Sequence, residues 1–148
     1  MRTVGTVVIG VGNPYRRDDG VGPAVADLLR GRGIEVAHSL GETTELIELW
    51  QDRDLAILVD AIRAQPAHPG RVHHIVVPGP YPSAASSHGL GLGEAIELAR
   101  ALDRLPGRLV LYAVEVADVG HGQGLSPPVA AASARLADAI RAEVTRCA

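Results

Sequence analysis

The sequence predicts a three-layer α/β/α domain on a mixed, mostly parallel five-stranded sheet. Three observations predict it. Short, nearly unbroken apolar runs rich in β-branched residues read as strands buried on both faces, the pattern of a sheet covered by helices on each side. These runs alternate with segments whose apolar residues recur at helical spacing. One connection, between the third and fourth runs, is too short and too rich in proline for a helix, so one strand must run against the others.

Each element follows in order. Thr3 to Ile9 (TVGTVVI) is the first strand, stopped by the turn signal Gly10-Val11-Gly12-Asn13-Pro14. Val21, Val25, Leu28 and Leu29 then share a helical face, with Pro23 in the first turn and Gly31 and Gly33 at the end. Ile34 to His38 fits a second strand, and Leu46, Leu49 and Trp50 mark a second helix. Leu55 to Val59 (LAILV) is the clearest buried strand, with Asp60 at its C-terminal end. The following IRAQPAHPGRV holds two prolines and a glycine, so the fourth strand, Val72 to Val77, is expected antiparallel to the third. A loop from Pro78 to His88 leads to a helix carrying Leu92, Ala95, Ile96, Ala99 and Leu102, ended by Pro106-Gly107. Leu109 to Val116 is the fifth strand, Asp118 to Pro128 a glycine-rich loop, and Val129 to Thr145 the last helix.

Composition narrows the chemistry. At 148 residues the chain reads as one domain, 1–148, able to fold without disulfide or structural metal. Cys147 is the single cysteine, which excludes disulfide frameworks and cysteine-held zinc or iron–sulfur sites. The net charge of −3, from 14 basic and 17 acidic residues with no long basic run, argues against nucleic acid as a partner. With no Phe, one Trp and three Tyr, base-stacking platforms are not expected either. No apolar run approaches the roughly 20 residues of a membrane span. Met1-Arg2 leads straight into a strand-like segment without a signal-peptide pattern, so the expected compartment is the cytoplasm and no membrane partner is expected.

In open α/β sheets, ligands bind beyond the C-terminal ends of the strands. That rule selects the turn Gly10–Gly22, the residues from Asp60, the loop ending at His88, and the stretch Glu115–Ser126. The turn lacks the third glycine of a dinucleotide fingerprint, since position 15 is Tyr15, and the chain has no lysine for a P-loop. Of Asp18 and Asp19, one is expected to cap the following helix, which leaves the other open to a functional role. Asp60 reads either as a turn cap or as a catalytic acid, and His88 either as a surface histidine or as a site residue. His73 and His74 point to opposite faces of their strand, and His38, His68 and His121 lack metal-ligand spacing, although the loop carrying His121 should return toward the site. Asp19, Asp60 and His88 together would supply two carboxylates and one imidazole, an open site for a divalent transition metal. Ser83, Ser86 and Ser87 lack a G-x-S-x-G elbow, which leaves a serine hydrolase little support.

These residues resemble the hydrogenase maturation proteases, which process the large subunit of nickel–iron hydrogenases. The likeness rests on G-V-G-N-P-x-x-x-D-D-G-V-G at Gly10–Gly22, L-V-D-A at Leu58–Ala61, S-H-G-L-G at Ser87–Gly91 and L-S-P at Leu125–Pro127, in the family's order and spacing. It implies a phosphorylase/hydrolase-like sheet of order 2-1-3-5-4 with the fourth strand antiparallel, which agrees with the reading of the proline-rich connection. By the same resemblance, Asp19, Asp60 and His88 are the catalytic and metal-contacting residues; Asp19 stands where some relatives carry the longer Glu. Ala113-Val114-Glu115-Val116 and Gly41-Glu42-Thr43 depart from the family's usual G-I-E-P or G-V-Q-P and G-G-T, and bear on which hydrogenase is processed.

The resemblance implies an endopeptidase that removes the C-terminal extension of a hydrogenase large-subunit precursor. The nickel arrives on the substrate, with no permanently bound cofactor, and the protease is expected to be a monomer. Either a metal-bound water or an aspartate could act as base. Two other readings stand beside it. A non-catalytic nickel-checking or chaperone module would bind the precursor without changing its mass. A nucleotide-handling enzyme would use the glycine turn.

Overall fold

The computed structural model describes residues 5–77, 85–86 and 91–147. Among the described residues, six strands and four α-helices follow one another: β1 (Thr6–Val11), α1 (Val21–Arg30), β2 (Val36–Ser39), α2 (Thr43–Trp50), β3 (Leu55–Arg63), β4 (Val72–Val77), β5 (Ala85–Ser86), α3 (Gly91–Ala101), β6 (Arg108–Glu115) and α4 (Pro127–Cys147). The sheet runs β2-β1-β3-β6-β4, with β5 paired to β3 off this path. Setting the two-residue β5 aside, this is the expected order 2-1-3-5-4. The pairs β1–β2, β1–β3 and β3–β6 are parallel, and β4 lies antiparallel on β6.

The unbroken apolar runs arise because the central strands are buried on both sides. Alternate residues feed two cores. Val8, Ile57, Val59, Val110 and Val114 meet Val25, Leu29, Leu136 and Ile140 under α1 and α4. Val7, Ile9, Leu58, Leu109 and Leu111 meet Leu46, Trp50, Ile96 and Ala99 under α2 and α3. The edge strand β4 is fixed to the α4 side by polar contacts. His74 stacks on Tyr112 with ring centroids 4.7 Å apart, and the Tyr112 hydroxyl donates to the buried carboxylate of Glu143. Burial, reinforced by that carboxylate, pushes the phenol's pKa up.

The first turn of α1 lies directly on the sheet. A Cβ on Gly22 would come within 2.4 Å of the Val59 carbonyl oxygen, and one on Gly10 within 2.3 Å of the Gly22 carbonyl oxygen. Only glycine at both positions lets helix and strands meet backbone to backbone.

Two expectations need correction. The first strand spans Thr6–Val11 and so runs beyond Ile9, because β2 pairs with it through Ser39; Thr3 and Val4 lie outside the described residues. The third strand does not end at Asp60 but continues to Arg63, because β6 pairs alongside it as far as Ile62 and Glu115. No helix among the described residues is long and apolar enough to cross a membrane.

Candidate active site

Asp60 lies at a break in the hydrogen-bond ladder of β3. On one side β3 pairs with β1 only as far as Val59, and β5 takes over at Ile62. Leu55 donates to Gly5 on the β1 side, whereas the Ile62 carbonyl accepts from Val116 on the β6 side. The amide of Ala61 therefore points into the gap, and the Asp60 Oδ1 accepts it at 2.8 Å. Asp60 is 3% exposed. By strand alternation its side chain belongs to the face covered by α2 and α3.

Asp19 is fully buried in a short 3-10 turn, Arg17–Gly20, that packs against β3. Its Oδ2 accepts the Asn13 amide at 2.9 Å, and the Asn13 side chain in turn accepts the Tyr15 amide at 2.9 Å. Gly22 rests on Val59, so the sequence places Asp19 three residues before that contact and Asp60 one residue after it. The two aspartates thus share the C-terminal end of β1 and β3, and each accepts a backbone amide.

His88 lies outside the described residues. The preceding described residue, Ser86, pairs with Ile62, two positions beyond Asp60, and α3 starts at Gly91. Among the described residues, no group of three or more His, Cys, Asp or Glu side chains could hold a metal ion.

The expected helix cap is not formed. The N-cap of α1 is Gly20, without a side-chain hydrogen bond. Asp18, fully buried, instead accepts from Ser126 N at 2.6 Å, Ser126 Oγ at 2.8 Å, Ala117 N at 3.0 Å and Asp118 N at 3.2 Å. This carboxylate fastens the loop after β6, and the start of α4, to the turn after β1. Backbone bonds from Arg17 N to Gly122 O and from Gly122 N to Tyr15 O, both 2.9 Å, close the same seam. Arg17 is held there in a left-handed conformation at φ 50°. The loop carrying His121 does return to the site, but through its backbone: the His121 carbonyl accepts Arg17 Nε at 3.1 Å.

Two acids that the sequence placed only within departing motifs also shape the rim. Glu115, 2% exposed at the end of β6, accepts His68 N at 2.9 Å and lies 2.8 Å from His73 Nε2 and 4.0 Å from Arg71 Nε. Burial would raise its pKa, but the His73 and His68 hydrogen bonds, with the charges of His73 and Arg71, outweigh it and hold the carboxyl below its ordinary value. It fixes the crossover between β3 and β4. Glu42 caps α2, accepting Thr44 N at 3.1 Å and Glu45 N at 2.7 Å, and these backbone donors lower its pKa. His73 and His74 do face apart, toward Glu115 and Tyr112 respectively.

Comparison with known proteins bears on this arrangement. The model of the HycI hydrogenase maturation protease family matches residues 41–143. No curated protein matches significantly. Among solved structures, the hydrogenase maturating endopeptidase HybD from E. coli superposes with a TM-score of 0.81 at 23% identity, covering 99% of this chain and 94% of that one. The [NiFe] hydrogenase maturation protease HybD from Thermococcus kodakarensis gives 0.79 at 21% identity, covering 97% and 99%. HycI from Thermococcus kodakarensis KOD1 gives 0.67 at 24% identity, covering 95% and 92%.

Proposed function

Because the chain belongs to the hydrogenase maturation protease family, we propose that it is the endopeptidase that removes the C-terminal extension from a nickel-loaded hydrogenase large-subunit precursor. The observation that carries this reading is the pair of buried carboxylates, Asp19 and Asp60, at the C-terminal end of β1 and β3. Buried carboxylates at a strand-end site are suited to contact a cation or to take a proton from water.

In this reading the nickel is part of the substrate. Asp19, Asp60 and His88 contact it as it arrives on the precursor, so the protease acts only on a subunit that already holds its metal. Two carboxylates and an imidazole leave coordination positions for ligands belonging to the substrate. Asp18 and Glu115 act at one remove, holding the loops on either side of the reacting centre. The seating of α1 on Val59 keeps Asp19 and Asp60 in register as those loops accommodate the substrate.

The test is a cleavage assay on the precursor with and without nickel, read as loss of mass from its C-terminus. Cleavage should require the nickel-loaded form and fall at least about a hundredfold in Asp60→Asn, the scale of losing a positioned acid–base group. Equal cleavage of both forms, or full activity of Asp60→Asn, would defeat the reading. Stable binding with no change in precursor mass would replace it with a nickel-checking role.

A further inference from the structure

A cleft of about 550 Å³ opens at the C-terminal ends of β3 and β6. One wall is the crossover after β3, with Arg63, Ala64 and Gln65, and the other is the loop after β6, Val116–Gly120, with Arg16 reaching in from the turn after β1. Its charge balance is unlike that of the whole chain, which carries −3. Asp118, the acid in the lining, pairs with Arg17 Nε at 3.4 Å and accepts Gly120 N at 2.8 Å. Arg16 donates Nε to the Val119 carbonyl at 3.2 Å, which leaves the end of its guanidinium toward the cleft; Arg63 is exposed. Neither arginine forms an ion pair among the described residues. Two unneutralised guanidiniums in one concave, partly enclosed site are matched to a carboxylate, which each can grip with paired N–H donors.

We propose that this cleft is a substrate subsite in which Arg16 and Arg63 bind a carboxylate of the precursor's C-terminal extension. The proposal rests on the protease reading above and adds a specificity element to it. Arg63 lies three residues beyond Asp60 along β3, about 10 Å at the rise of a strand. By strand alternation Arg63 faces the side of β3 opposite to Asp60, so the substrate reaches the cleft around the C-terminal edge of the sheet, and the carboxylate recognised is an acidic side chain of the extension or the chain's own terminus.

The test uses the precursor that the wild-type protein cleaves, with Arg63→Gln and Arg16→Gln variants. Each should raise KM about tenfold with a smaller change in kcat, and the effect should shrink at high salt. Changing the acids of the extension to amides, one by one, identifies a side-chain carboxylate; sensitivity to C-terminal amidation identifies the terminus. Arg63→Glu should lose the native precursor and regain one carrying lysine in place of the recognised acid. A fluorescein-labelled tetraglutamate peptide, compared with tetraglutamine, reads the cleft without any cleavage. Unchanged KM in both glutamine variants overturns the subsite and leaves the protease reading standing. Conversely, tetraglutamate binding that both variants weaken about tenfold, with no precursor cleaved, keeps a carboxylate-binding cleft and removes the protease reading.

Discussion

The two walls of the arginine cleft are each pinned by one buried carboxylate, and the pins differ in their donors. Asp18 holds the loop after β6 through three backbone amides and a serine hydroxyl. Glu115 holds the crossover after β3 through one amide, a histidine ring and the field of Arg71. The donors to Asp18 do not titrate near neutrality, so its wall is fixed by geometry alone. Glu115, whose own carboxyl is held below its ordinary value, relies on the ring of His73 and on a weak, half-exposed arginine contact. One side of the cleft is therefore built as a fixed seam, and the other as a clasp whose strength depends on solution conditions.

The largest expected effect breaks the seam. Asp18→Ala takes the acceptor from three part-buried amide bonds, and each donor left unpaired costs roughly 1–3 kcal/mol. We expect a loss of about 3–5 kcal/mol in urea unfolding, a large part of the roughly 5–15 kcal/mol available to a domain. A loss below about 1 kcal/mol would mean that the loop is held by its backbone bonds instead.

Glu115→Gln sharpens the contrast. Because the folded carboxyl is held below 4.5, its contribution is complete above that value and disappears as pH falls through the folded pKa. Unfolding should show a deficit of about 1.5–3 kcal/mol at pH 7, the range for hydrogen bonds to a charged group. The deficit should narrow steadily as the pH drops below 4.5. A pH-independent deficit would mean that packing, not charge, holds the crossover. The smallest effect is Arg71→Gln, whose contact is 4.0 Å long with the arginine 56% exposed. It should stay within about 0.5 kcal/mol of wild type, and a larger loss would make Arg71 a principal member of the clasp.

Much of the architecture could be read from the sequence because burial on both faces leaves unbroken apolar runs, and prolines forbid a helix between β3 and β4. The strand order was implied by the family resemblance and is matched by the sheet. Strand ends were less legible. Asp60 looks like a terminus in sequence, but β6 carries β3 three residues further, and pairing partners cannot be seen in a single segment. That Asp19 and Asp60 lie toward the same end of the sheet was legible from the apolar runs that precede them, while their part in the reaction is a proposal. The roles of Asp18 and Glu115 were not legible, since their partners lie 99 to 108 and 42 to 47 residues away. The Asp-Asp pair was a signal that one acid had a structural duty, but Ser126 in L-S-P, rather than the helix start, was the partner to look for. His88 lies outside the described residues and remains an expectation.

The contact between Gly10 and Gly22 also has an evolutionary reading. Most positions can drift through small changes of volume, each tolerated before the next. Here even one methyl group is forbidden on either side, since it would sit inside a carbonyl oxygen's radius. No gradual path leads away from this pair: a lineage keeps both glycines or must reseat the helix in one step. The spacing between Asp19, in the turn after the first strand, and Asp60 is thus tied to a backbone contact that admits no side chain.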